Sequence, residues 1–204
     1  MTEILGDSAE YEFITEGVEL SKDVDGLCIE LGLRRGFGTK TIIDAIKDFC
    51  PDKVSIAVDP YGSIEYEHRE GEFVVLDYSN TMKNECMQSI HAYAEEQGVH
   101  FIPFILEDTE FFKSFKDGVP IYRTVKQVIN QYSFVHFDAP HAVLPLKTEI
   151  DFFNPRTPIG GAYVFDDIDF YPHNEETEPY LFKLGFDLIK KGGKKALYRK
   201  VLVY

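Results

Sequence analysis

Short, nearly continuous apolar runs alternate along the chain with segments of helical spacing. The runs at 27–31, 54–58, 101–106, 134–137 and 162–165 are too short for helices and predict strands buried on both faces. Between them, Ile42, Ile43, Ile46 and Phe49 recur at helical spacing within 39–49. Residues 80–97 predict a second such helix, closed by Gly98. Helices are also predicted over 11–21 and 120–131, and one opening at Pro140, with a last one before the final strands. Residues 73–76 predict a short extended piece. Strands at 185–189 and 195–203 are joined by a turn at Gly192-Gly193. That connection is too tight for a parallel crossover, so these two should pair antiparallel.

This order predicts an α/β fold: a Rossmann-like, doubly wound, mostly parallel seven-stranded sheet with a C-terminal antiparallel hairpin. The length of 204 residues suits one domain spanning 1–204, with 1–24 as an N-terminal helical extension. Ligands of such sheets bind beyond the carboxyl ends of the strands, and the acidic residues of this sequence gather at those ends.

The net charge of -14 opposes binding to a phosphate backbone, so nucleic acid is not expected as a partner. Lys183, Lys190, Lys191, Lys194, Lys195, Arg199 and Lys200 crowd the C-terminal end and are read as a solvated hairpin face. The cysteines Cys28, Cys50 and Cys86 match no metal or redox spacing, and a reducing, cytoplasmic setting is expected. The N-terminus has no signal-peptide pattern and no segment resembles a membrane span.

The turn after the first strand reads Glu30-Leu31-Gly32-Leu33-Arg34-Arg35-Gly36-Phe37-Gly38. Its glycines allow a sharp turn and close approach to a ligand, but the spacing is not that of a dinucleotide site. An acid before the first glycine suits an ammonium group better than a pyrophosphate. Asp59, ending the second strand, is placed to accept the hydroxyls of a ribose. Asp108, after the third, either reaches an adenine edge or caps the helix that follows.

At the other half of the sheet, Asp138 ends the fourth strand and Asp166 with Asp167 ends the fifth. On neighbouring strands roughly 4.8 Å apart, three carboxylates would repel unless a cation joined them. Oxygen donors favour a hard ion such as magnesium, with Asp169 in reserve. The opposing reading is that adjacent strand residues face opposite ways, so Asp166 and Asp167 share a site only if the strand has ended. His141, at the predicted helix opening, should stay neutral beside the electropositive helix end and able to accept a proton. His136 reads as a core or sheet-face residue.

The segments IELGLRRGFG, IAVDPYG, FVHFDAPHAV and GGAYVFDD resemble the class I S-adenosylmethionine-dependent methyltransferases. The resemblance is to the metal-dependent O-methyltransferase group that includes macrolide-sugar enzymes. It runs over most of the chain from about residue 25. It implies S-adenosylmethionine as donor, held by Glu30, Gly32, Gly36, Gly38, Asp59 and Asp108. It also implies magnesium on Asp138, Asp166 and Asp167, and His141 with Asp138 as the catalytic groups. The acceptor would be a hydroxylated small molecule such as a sugar or a catechol-like compound. Two departures stand out: Ala139-Pro140 replaces a glycine and a polar residue, and the chain has little room for lid segments. Metal-independent methylation and a donor-binding or assembly module without catalysis are the competing readings. The opening helix could cover the donor site or join a homo-oligomer.

Overall fold

The computed structural model describes residues 4–6, 8–69 and 71–202. Of the expected N-terminal extension, residues 1–3 and 7 lie outside the described residues, as does residue 203 of the expected last strand.

The chain opens with α1 (Glu12–Leu20), then β1 (Leu27–Leu31), α2 (Phe37–Phe49) and β2 (Val54–Val58). A hairpin, β3 (Gly62–Arg69) and β4 (Glu72–Tyr78), leads to α3 (Asn80–Gln97), β5 (His100–Phe104) and α4 (Asp108–Ser114). A second hairpin, β6 (Val119–Tyr122) and β7 (Lys126–Ile129), precedes β8 (Tyr132–Phe137), α5 (Val143–Phe153) and β9 (Ala162–Phe165). The chain finishes with α6 (Glu178–Lys183), β10 (Phe186–Lys191) and β11 (Ala196–Lys200).

The main sheet has seven strands in the order β10-β11-β9-β8-β1-β2-β5. β1, β2, β5, β8 and β9 run parallel, and β11 pairs antiparallel with both β9 and β10. Successive side chains of a strand alternate between faces, so each strand feeds two cores. Leu27, Ile29, Leu31, Val135, Phe137 and Phe165 pack with Phe111, Leu146, Ile150 and Phe153 of α4 and α5. Cys28, Ala57, Phe134, Val164 and Leu197 pack on the other face with α1, α2 and α3. Helices thus cover both faces, which is why the strands read as nearly continuous apolar runs. From β1 the chain crosses to β2 on one side and later to β8 on the other. That reversal opens a crevice at the carboxyl end of β1.

Two local expectations are corrected, and one is met and lengthened. Of residues 120–131, expected as a helix, 120–129 belong to the β6–β7 hairpin. Val119 and Ile121 point inward on alternate positions while Tyr122, Val125 and Val128 are exposed, a period of two that β-branched residues favour. The extended piece at 73–76 belongs to β4 of a full hairpin, which supplies cover for which the chain length left little apparent room. The helix after β8 begins at Val143, not at Pro140. Pro145 occupies its first turn, where a missing N–H leaves no bond unmade.

Candidate functional site

The crevice is a cavity of about 690 Å³ at the carboxyl ends of β1, β2, β8 and β9, a size that suits a small-molecule site. Glu30, Gly32, Gly38, Asp59, Asp108, Asp138, His141, Asp166 and Asp167 all line it. Gly36 stands behind it, with φ +87° and its bare face against Ile90 and Cys86.

Two glycines are required by close approach. A Cβ on Gly32 would lie 2.0 Å from the Asp138 carbonyl oxygen, and one on Gly38 would lie 1.9 Å from Glu30 Oε1. The first lets the tips of β1 and β8 close on each other. The second lets the start of α2 sit on the Glu30 carboxylate. Glu30 is buried, pairs with His136 Nδ1 at 2.8 Å and accepts the Thr39 hydroxyl. His136 is therefore a sheet-face residue that fixes Glu30 from the neighbouring strand.

Asp59 stands at the ribose position, but its oxygens are already engaged. One accepts the amides of Leu33 at 3.0 Å and Arg34 at 2.8 Å, and the other accepts Tyr61 N at 2.8 Å. Burial and the Glu30 charge hold its carboxyl above the usual range despite these three donors. Its visible role is to clamp the glycine turn to the tip of β2. Asp108 is the first residue of α4, where Glu107 supplies the capping box, so Asp108 is not the cap and its side chain lines the cavity.

At the acceptor end, Asp138 and Asp166 follow directly on paired residues, Phe137 and Phe165. β9 has ended there, and Asp167 takes φ +48°. The three carboxylates nevertheless do not converge. Asp166 is turned into the protein: it forms an ion pair with Lys195 and accepts Ser8 Oγ at 3.1 Å and Asp167 N at 2.7 Å. Burial works to raise the pKa of Asp166, but the Lys195 ammonium and His136 outweigh it and hold the carboxyl below its ordinary value. Enclosure and the charges of Asp166 and Glu30 push the Asp138 carboxyl well above the ordinary range. Burial and Asp166 push Asp167 up as well.

The expected magnesium set does not fit this arrangement, because one of its three carboxylates is fully committed to a lysine. Glu30, His136 and Asp138 bring ligand-type atoms within 4.8 Å of one another; Glu30 Oε1 and His136 Nδ1 already pair with each other, while His136 Nε2 is buried without a hydrogen-bond partner. Asp169 is drawn away to Lys194, at 2.8 Å.

The solvated hairpin face is corrected at two of its lysines. Lys195 is 0% exposed and Lys200 is buried, with its ammonium on the Asn154 carbonyl and side-chain oxygens. Sequence reasoning also missed Ser8 and Tyr11 of the N-terminal segment and Tyr66 and Tyr78 of the first hairpin, all lining the cavity. Only the aromatic content near Asp59 hinted at the latter.

His141 precedes α5, so the helix end is not its main electrostatic neighbour. Its Nε2 lies 3.9 Å from Asp138 Oδ1 and 4.0 Å from Asp167 Oδ2. His173 is not at the site: it is buried between the hydroxyls of Tyr171 and Tyr198.

No protein-family model matches the sequence, and no curated protein matches it. Solved structures do. CalS11, a calicheamicin methyltransferase, is similar with a TM-score of 0.65 at 14% identity, over 93% of this chain and 77% of its own. TomG of Streptomyces achromogenes, an O-methyltransferase of tomaymycin synthesis solved in complex with SAM, has a TM-score of 0.59 at 10% identity, over 99% and 84%. An O-methyltransferase from Bacillus cereus in complex with SAH has 0.57 at 10% identity, over 97% and 84%. The fold is that of the class I methyltransferases. The Rossmann-like sheet with its antiparallel hairpin, expected from the sequence, is the one these structures share.

Among the described residues, no helix is long and apolar enough to cross a membrane.

Proposed function

We propose that this chain is an enzyme that transfers a methyl group from S-adenosylmethionine to a hydroxyl oxygen of a small molecule. One observation carries the reading: a single cavity joins the glycine turn after β1 to the His141, Asp138 and Asp167 group at the tips of β8 and β9. The donor would rest against Gly32 and Gly38, with Gly36 shaping the turn behind them, Glu30 beneath its amino-acid end and Asp108 towards its base. Asp59 supports that half by holding the turn. S-adenosylmethionine, when bound, supplies a sulfonium-activated methyl group that an oxygen nucleophile accepts as the carbon–sulfur bond breaks.

The protein's own part is proton removal and placement. His141 Nε2 takes the hydroxyl proton. The Asp167 carboxylate, 4.0 Å from Nε2, stabilises the imidazolium that this produces, and Asp138, at 3.9 Å, adds to this in its ionised form. Tyr66 and Tyr78, from the first hairpin, wall the cavity and limit water. Holding donor and acceptor in line supplies much of the rest. A sugar or a catechol-like ring both offer the hydroxyl this arrangement needs. The magnesium-assisted form expected from the sequence enters no step, because Asp166 is held by Lys195.

Calorimetric titration with S-adenosylhomocysteine tests the donor half, followed by a screen of hydroxylated acceptors. Saturable binding and a methylated product are expected. Failure to bind would remove the reading.

A further inference from the structure

We propose that the Lys195 ammonium is the resident cation of the acceptor end, and that this site works without a divalent metal. The inference rests on the methyltransferase reading above and concerns the acid cluster of the same cavity.

Lys195 is the residue before β11, and its side chain is 0% exposed. A buried ammonium must find charge and hydrogen bonds within the protein. Lys195 finds the Asp166 carboxylate, Ser8 Oγ at 3.2 Å and the Tyr11 ring at 5.2 Å. Asp166, also buried, has both oxygens occupied by this set and by the Asp167 amide. For a metal to take Asp166, the carboxylate would have to leave a lysine that has no exit to water.

The position of Lys195 is built, not incidental. Glu10 accepts the amides of Gly193 at 2.8 Å, Lys194 at 2.9 Å and Lys195 at 2.8 Å, so one carboxylate fixes the whole β10–β11 turn. Gly192 leaves space for it: a Cβ there would lie 2.3 Å from Glu10 Oε2. The same turn brings Lys194 to 3.7 Å from Asp167. Two lysines from one turn therefore answer the two adjacent acids that end β9. Lys195 is a positioning residue: it fixes Asp166 and offsets the charge beside Asp138 and His141.

The test uses the full chain stripped with a chelator and titrated with magnesium chloride alone by calorimetry, with and without saturating S-adenosylhomocysteine. The wild type is expected to show no binding tighter than about 1 mM under either condition. Stoichiometric binding at about 10–100 µM, lost in Asp138→Asn, would overturn the proposal. Lys195→Met, if folded, frees Asp166 and should bind magnesium at least about tenfold more tightly than the wild type. A folded Lys195→Met protein that binds no better would show that the ammonium does not stand in the cation's place. If that variant fails to fold, the wild-type titration decides alone. Absence of S-adenosylhomocysteine binding would sink the methyltransferase reading separately, while the metal titration would remain interpretable.

Discussion

His141 and Asp138 face each other across the mouth of the acceptor end, with Nε2 3.9 Å from Oδ1. The pair sits in a loop whose backbone is fixed at one side by the Asp138 amide, which donates to the Leu31 carbonyl at 3.0 Å. On the other side the chain enters α5. With Asp167 Oδ2 at 4.0 Å, the imidazole has a carboxyl group on each flank. A base so placed gains stabilisation of its protonated form at the moment of proton transfer.

His141→Ala is therefore expected to lower turnover by about 10²–10⁴-fold, the usual worth of a positioned general base. Affinity for S-adenosylhomocysteine should change by less than about threefold, since the ring stands at the acceptor end. Turnover on an acceptor found by screening, set beside calorimetric donor affinity, checks this. Equal turnover in the variant would remove His141 as the base.

Gly38→Ala tests the donor half through packing. Its Cβ would lie 1.9 Å from Glu30 Oε1, in the first turn of α2, where neither partner can retreat freely. A loss of about 1–3 kcal/mol of stability is expected from the overpacking, together with weakened donor binding. Gly98→Ala is the matched control. Gly98 has φ +72°, and a Cβ added to it would meet nothing within 4 Å, so its cost of about 1 kcal/mol is conformational only. Donor affinity should survive there. Thermal melts and titration of both variants separate the two effects.

The strands β1, β2, β8 and β9 were legible in the sequence because burial on both faces leaves a nearly continuous apolar run that stops at an acid or a glycine. The two hairpins were not: β6 and β7 and their turn expose Tyr122, Val125 and Val128, so neither period is clean. The tips of the strands identified Glu30, Asp59, Asp138, Asp166 and Asp167 as a group. What each carboxylate touches was decided by tertiary contacts invisible along the chain. Asp59 is 25 and 26 residues from the amides of Arg34 and Leu33 that it accepts. Asp166 meets Ser8 across 158 positions. A lysine in a hairpin reads as solvent-facing until its partner strand ends beside it.

Glu149, beside Asp108, gives a stability prediction. It is fully buried on α5, and burial, reinforced by the Asp108 charge, pushes its carboxyl well above the ordinary range. The folded protein thus holds a proton that the unfolded chain releases near pH 4.3. Its contribution is present below that pH and is lost as the pH rises towards the folded value. Glu149→Gln should accordingly raise stability at neutral pH by about 1–2 kcal/mol and gain little at pH 4. Denaturant unfolding at the two pH values checks the sign.

His173 works in the opposite sense. Burial, with Lys191 nearby, lowers its imidazole from 6.5 to about 4. The unfolded chain therefore binds a proton between those values and the folded one does not. The stability linked to His173 is full above about pH 6.5 and declines as the pH falls towards 4. The effect should amount to about 3 kcal/mol at most. His173→Gln, which keeps an amide between Tyr171 and Tyr198, should melt at a temperature less sensitive to pH between 6.5 and 4.5. An unchanged slope would mean that another group governs acid unfolding.

Whether the crevice holds a methyl donor is decided by calorimetric titration of the wild-type chain with S-adenosylhomocysteine. One site per chain with micromolar affinity is expected, weakened by Gly38→Ala and unaffected by His141→Ala. No heat of binding from a folded protein would contradict the methyltransferase reading, and would leave this fold without a methyl donor.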